Sequence, residues 1–470
     1  MAAGTDFTKG NLSRQLTVLS FTSSIGIFAI YFVDLMDIFF ISLLGHQEMA
    51  AAASFAGTVM FFMSSANIGF SVASGSLTAK YLGVGRDEEA NAVTGAATIV
   101  AGINSVLISL AMFPFFPFFM SMLGAEGVIK ELGITYLQIV IPTSFLSGMS
   151  MSLVASLRGH GFASWAMYPA RFGALVNLVF DPILIFTLDL GLAGAAWATN
   201  LARITTFAAV FYITVYKFKT VSMPSVASTF KYLKDILFYA IPSVLSSIAG
   251  PIGIAIVTRH ITQFGSEAVA GMAVIGRISP MAFAVVSAMS SVVGPMIGQN
   301  FAARLPERVT GSYFASLKFL AIYVGGLILV LVLFREMIAD AFSATGLTRD
   351  LILFYCGPYS MIGFFNGVIF ATSAAFNNLG RPKLATRLNW AKNTVGLLFF
   401  ITIGSMFGIY GLAIGILVNA AVFAAVGHFL TLRIIDQAMS DPVVETEEEE
   451  EDMFDEAVHI KQEFAEPTYT

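Results

Sequence analysis

Long apolar runs separated by short polar joints dominate this chain and limit it to one kind of fold. Twelve stretches have the length and composition to cross a bilayer, near 15–44, 52–78, 92–119, 133–157, 165–188, 191–216, 235–262, 269–298, 313–341, 352–378, 386–407 and 409–433. A spanning helix needs about 20 mostly apolar residues, and backbone in hydrocarbon has to satisfy its own hydrogen bonds, so each stretch is expected to be a helix. The joints hold the breakers, as in "GVGRDEEAN", "RGHGFAS", "NFAARLPERV" and "NNLGRPK". Of 470 residues, 57% are hydrophobic and 12% are charged, against a charged share of about 25% in soluble domains. A soluble core has no room for so much apolar surface. The expected fold is an all-α polytopic membrane protein with the lipid bilayer as its solvent. The first 13 residues are polar and the first apolar run is too long for a signal-peptide core, so that run is expected to remain as helix 1. The single cysteine, Cys356, excludes an internal disulfide framework and a cysteine-based metal site.

Charge gives the orientation. Joints after even-numbered stretches, together with the parts of the two tails next to the stretches, hold fifteen Lys and Arg, whereas the opposite joints hold only Lys130, Arg335 and Arg349. By the positive-inside rule both termini are expected in the cytoplasm, with the protein in the plasma or inner membrane. The longest joint carries Lys217, Lys219, Lys231 and Lys234 and divides the stretches six and six. The expected organisation is a cytoplasmic segment over 1–14, a six-helix lobe over 15–216, a cytoplasmic linker over 217–234 and a second lobe over 235–433. An acidic tail follows over 434–470, whose "ETEEEEEDMFDEA" predicts a solvated, disordered segment.

The two halves repeat. "LLGHQEMAAAA" at 43–53 matches "QFGSEAVAGMA" at 263–273, "SLRGHGFA" at 156–163 matches "FNNLGRPK" at 376–383, and "GLAGAA" at 191–196 matches "GIYGLA" at 408–413, at offsets between 217 and 220. Because six is even, both halves share one topology. The repeat is therefore parallel, about an axis along the membrane normal, and encloses a central cleft. No GxxxxGK[ST] phosphate loop occurs, so the energy for transport is expected from an ion gradient or from the substrate's own.

One feature resists this apolar background. "YFVDLMDIFFISLLG" places Asp34 and Asp37 one helical turn apart inside stretch 1. A carboxylate at the bilayer centre costs about 3 kcal/mol or more and marks a functional site by default. Stretch 5 adds "ALVNLVFDPILIF", in which Asn177 and Asp181 are four residues apart and share a helix face.

Taken in order, "D-x-F-F-[IV]-x-x-L-G" at the end of helix 1, "RGxG" after helix 4, "N-x-x-x-D-P" in helix 5 and "G-x-x-G-A-A-x-A-T" opening helix 6 resemble the multidrug and toxic compound extrusion (MATE) family, in its DinF-like branch, over about 12–435. The resemblance implies a cation-coupled antiporter that exports amphipathic, often cationic, drugs and toxic organic compounds by alternating access. It also implies that Asp37, Asn177, Asp181 and Thr199 form the cation-coupling cluster and that Tyr136 lines the same pocket. These groups offer hard oxygen ligands to a proton or, failing that, to Na⁺, for which Asp37, Asn177, Asp181 and Thr199 would be the metal ligands. Two carboxylates in a low-dielectric site cannot both ionise cheaply, which favours H⁺ over Na⁺. Asp34 has no counterpart in the family pattern and is expected to interact with Asp37. No enzyme activity, cofactor or nucleic-acid partner is expected, and the chain is expected to act as a monomer.

The second half carries no equivalent acids, so coupling is expected in the first lobe alone. Lys392 in "RLNWAKNTVG" is expected to snorkel to the interface. Helix 7 has Pro242 where helix 1 has Thr22, so any bend in helix 1 is expected to be a soft one at Ser23, Ser24 and Gly26. Candidate cleft residues are Met60, Met63 and Asn67 in "MFFMSSAN" and Met281 and Phe283 in "SPMAFAVVSAMSS"; Met and aromatic walls adapt to many apolar shapes. A lipid-linked oligosaccharide flippase is the main rival, but its cleft would be cationic. An intramembrane aspartyl protease would need a "GxGD" element, which is absent.

Overall fold

The computed structural model describes residues 5–44 and 47–440; the side chain of Asp34 lies outside the described residues. All regular structure among them is helical. Among the described residues, ten helices are long and apolar enough to cross a membrane. They are helix 1 (Leu12–Leu43), helix 2 (Gln47–Gly83), helix 3 (Asp87–Met122), helix 4 (Gly127–Gly159), helix 5 (Tyr168–Thr187), helix 6 (Gly191–Lys217), helix 7 (Val226–Phe264), helix 9 (Pro306–Ala341), helix 10 (Pro358–Asn378) and helix 12 (Gly408–Ser440). Helix 8 is a bent pair, Ser266–Ala282 and Ala284–Ala302, at 45°. Pro280 sits just before the bend, where its missing N–H and its ring loosen the helix. Helix 11 is Pro382–Ala391 and Leu397–Ser405, joined by a π-turn over Lys392–Gly396. Neither piece alone has spanning length.

The packing repeats as the sequence does. Helix 1 lies on helix 5, helix 5 on helix 6, and helices 2, 3 and 4 on one another. Each pairing recurs with its numbers raised by six: helix 7 on helix 11, helix 11 on helix 12, and helices 8, 9 and 10 on one another. The lobes meet where helix 2 packs on helix 7 and helix 1 on the second piece of helix 8, contacts related by the same exchange. The molecule is thus two pseudo-symmetric six-helix bundles in parallel repeat. Its outer faces are apolar: Leu329 and Leu333, one turn apart on helix 9, are 73% and 76% exposed, as lipid-facing side chains are.

Residues 5–11 form a strap across the two lobes. Phe7 is fully buried. Its N–H donates to Gln299 Oε1 (3.3 Å), and its carbonyl accepts from Asn300 Nδ2 (3.0 Å) and Arg308 Nη2 (2.7 Å), all in the second lobe. Thr5 N–H donates to the carbonyl of Gly161 in the first lobe (3.1 Å). Gly161 holds φ +79, a left-handed conformation that favours glycine. Gln299 Nε2 also reaches Gly159 O directly (2.6 Å). Asp6 turns the strap by accepting from the Thr8 N–H (2.9 Å), and the Thr8 hydroxyl beside it holds its carboxyl below the usual carboxylate value.

Helix ends differ from the sequence boundaries. Helix 7 begins at Val226, capped by Ser225 Oγ accepting from Ser228 N (3.0 Å), so half of the expected linker is helical. Helix 12 runs past 433 to Ser440, and the rest of the expected acidic tail, 441–470, lies outside the described residues.

Candidate functional site: a carboxyl pair in the first lobe

Helix 1 is one continuous helix. Thr22 and Ser24 return their hydroxyls to its own carbonyls, at 2.9 Å to Val18 O and 2.8 Å to Phe21 O. It carries Asp37 to helix 5, where Pro182 ends the α-helical ladder and a π-turn over Ile183–Thr187 follows. Asp181 immediately precedes that break and is fully buried. The Asp37 and Asp181 carboxyl groups lie close together, within reach of one side-chain nitrogen. Asn177, one turn before Asp181, ties them together. With its amide nitrogen turned to the acids, Nδ2 donates to Asp37 Oδ1 (2.7 Å) and Asp181 Oδ2 (3.1 Å). For the two carboxyl groups to bond one another directly, one must carry a proton, because carboxylates only accept. The remaining Asp181 oxygen, Oδ1, has no partner among the described residues.

Asp37, Asn177 and Thr199 line a cavity of about 310 Å³, with Ser147, Ser150 and Arg203 on its other walls. Asp181 lies behind this lining. Asp37 is therefore the member of the pair open to the cavity. Thr199 Oγ1 donates to Ala195 O (3.0 Å) within helix 6, and Tyr136 is buried in the core of the first lobe.

The structure thus brings Asp37, Asn177 and Asp181 into contact and sets Thr199 beside them. Tyr136, expected to line this pocket, is buried in the first-lobe core instead, and the remaining cleft candidates do not line the cavity either. Met63 is buried in the first-lobe core and Met60 packs against the same core. Asn67 is buried, its Oδ1 taken by Ser105 Oγ (2.7 Å). Phe283 is buried against Gly363. Met281, 39% exposed, keeps an open side chain.

Sequence reasoning missed Asn200 and Arg203. Helix 4 breaks into a 3-10 turn at Ile141–Thr143, around Pro142. Two side chains of helix 6 take up the carbonyls beside the break: Asn200 Nδ2 donates to Ile139 O (2.8 Å) and Arg203 Nη1 to Val140 O (2.7 Å). Thr143 Oγ1 returns a bond to Asn200 Oδ1 (2.6 Å). Proline in stretch 4 was the available signal, since it frees backbone acceptors that a neighbouring helix has to satisfy.

Similar proteins agree with the architecture. The FAD transporter of Shewanella oneidensis is 26% identical over 442 residues, covering 90% of this chain and 95% of that protein. The multidrug export protein MepA of Staphylococcus aureus is 22% identical over 445 residues, covering 93% and 97%. A solved MOP superfamily transporter from Pyrococcus furiosus shares the fold with a TM-score of 0.85 at 24% identity, covering 93% of this chain and 98% of its own. The sequence model of the MatE family matches twice, over 23–183 and 242–402, once in each lobe. With both halves matched, the chain belongs to the MatE family of membrane transporters.

Proposed function

We propose that the chain is a proton-coupled antiporter of the DinF-like branch that exports amphipathic, often cationic, organic compounds from the cytoplasm by alternating access. The carrying observation is the hydrogen-bonded Asp37–Asn177–Asp181 cluster, with Asp37 facing a cavity and Asp181 sealed behind it. In the protonated state one proton joins the two carboxyl groups. Once that proton leaves, both acids are ionised and the exposed Asp37 adds a negative charge at the cavity that attracts a cationic substrate; reprotonation from the other side removes that added charge and releases it. Such exchange needs the two acids to titrate as one unit.

Assigning the Asn177 amide by its hydrogen-bond network, with nitrogen rather than oxygen toward the acids, supports H⁺ over Na⁺. The unpartnered Asp181 Oδ1 is what speaks for Na⁺. MepA and the FAD transporter carry names that fit exporters of bulky organic molecules. The fifteen-to-three bias of basic residues supports cytoplasmic termini in a plasma or inner membrane. The protein acts as a monomeric transporter and catalyses no covalent reaction.

The test is ethidium efflux from membrane vesicles under an imposed pH gradient and, separately, an imposed Na⁺ gradient. Efflux driven by the pH gradient without Na⁺ is expected. Efflux that ignores the pH gradient and follows Na⁺ would transfer the site to Na⁺. No efflux under either gradient, with the protein present in the membrane, would favour the flippase.

A further inference from the structure

The second lobe contains a polar cluster opposite in sign to the first. Lys392 lies at the start of the π-turn of helix 11, and its Nζ donates to Asn366 Oδ1 of helix 10 (2.8 Å). This corrects the expectation that Lys392 snorkels to the interface: its ammonium is held across to a neighbouring helix. One turn earlier, Asn389 Nδ2 bonds Ser246 Oγ of helix 7 (2.9 Å) and Ser373 Oγ of helix 10 (3.1 Å). The repeat offset of 218 places Lys392 opposite Ala174, which lines the acid-containing cavity of the first lobe. The cluster is therefore the symmetry counterpart of that site.

Its hydrogen-bonding balance is one-sided. An ammonium has three donors, and the bond to Asn366 uses one. The amide nitrogen of Asn366 donates to no protein atom among the described residues, and no carboxylate there pairs with Lys392. Helices 10 and 11 hold no Asp or Glu, and the acids of helices 7, 8, 9 and 12 (Asp235, Glu267, Glu307, Glu336, Asp340 and Asp436) all lie within about three turns of a helix end. Lys392, Asn366, Asn389, Ser246 and Ser373 are all partly exposed rather than sealed. A charge kept at membrane depth without a counter-charge is costly and marks a functional position. A cluster with spare donors and net positive charge is complementary to an oxyanion, where charge-assisted hydrogen bonds are strongest.

We propose that Lys392 and Asn366 form an oxyanion subsite in the second lobe, one that takes the carboxylate or phosphate group of an amphipathic substrate. The inference rests on the exporter reading and adds a substrate class to it: molecules with an anionic group and a bulky, cationic or apolar remainder, spanning two lobes of opposite charge.

The experiment compares two probes that differ in one group, a rhodamine with a free carboxylate and the methyl ester of the same dye. Fluorescence anisotropy would measure binding to the purified full chain in nanodiscs of neutral lipid. Wild type is expected to bind the free acid about tenfold more tightly than the ester, a difference of about 1.4 kcal/mol. Lys392→Gln is expected to abolish that preference while leaving ester affinity within about twofold, and Lys392→Arg to retain most of it. Equal losses for both dyes in Lys392→Gln would make the lysine a packing residue and overturn the proposal. Wild type that binds and exports the ester but does not prefer the acid would overturn the subsite alone; wild type that moves neither dye would overturn the exporter reading with it. Adding anionic phosphatidylglycerol to the nanodiscs is expected to leave the preference intact. Its loss would assign the cluster to a lipid headgroup instead.

Discussion

Asp37 and Asp181 share the Asn177 amide as a partner yet occupy different surroundings, and the difference assigns their tasks. Asp37 lines the cavity, whereas Asp181 is fully buried with one oxygen unpartnered. Asp37→Asn preserves shape and hydrogen bonding but cannot load a proton. It is expected to reduce pH-gradient-driven ethidium efflux to background while the protein still elutes as a folded species on size exclusion. Asp181→Asn is expected to do nearly the same, because the pair titrates as a unit. Asp34 lies three residues before Asp37 on the same helix, close enough for like-charge coupling. Asp34→Asn is therefore expected to displace the pH optimum of efflux more than it lowers the maximal rate. Wild-type efflux in Asp37→Asn across the whole pH profile would remove the acid pair from the coupling role.

Breaks in helices 4, 5 and 11 shape the sites, and those in helices 4 and 11 have hydrogen-bond partners in another helix. Around Pro142 the loose carbonyls of Ile139 and Val140 are taken by Asn200 and Arg203. Removing a partner from a buried polar group costs about 1–3 kcal/mol. Asn200→Ala and Arg203→Met are each expected to lower the thermal unfolding temperature in detergent, and the double variant by less than the sum, since both act through one turn. Full additivity would mean the two side chains do not share it. The acid pair was legible in the sequence because charge stands out against an oily background. Spans were legible because lipid demands long apolar helices, and the repeat because six helices kept one offset. Asn200 and Arg203 were not, because the groups they serve belong to a helix some 60 residues earlier (|i−j| 61 and 63). Lys392 was visible as a charge, but its partner Asn366 lies on another helix, and no periodicity pairs them.

At the scale of the molecule, the alternating access proposed for this chain requires the strapped end to open, and the bonds of the strap oppose that opening. Phe7 was one apolar residue in a polar leader and gave no periodic signal; the fold makes it a plug bonded to Gln299, Asn300 and Arg308 on one lobe while Thr5 is bonded to Gly161 on the other. Beneath it the lobes are in close contact: a Cβ built on Gly83 would stand 2.5 Å from Gln299 O and 2.6 Å from the Ala302 side chain. Opening this end breaks all of these contacts together, so the strap biases the molecule toward the closed arrangement. Phe7→Ala removes the plug and Arg308→Gln weakens the charge-assisted bond to the Phe7 carbonyl. Each is expected to shift the equilibrium toward opening, by about tenfold for every 1.4 kcal/mol of closed-state stabilisation lost. Maleimide labelling of an Ala302→Cys reporter measures it, with the buried Cys356 replaced by serine. Labelling is expected to be slow with the strap intact and faster in both variants, with Phe7→Ala the faster. Unchanged labelling in both, in protein that remains folded, would mean that the direct contacts at Gly83 and Gly159 hold this end shut and that the strap only rests on them.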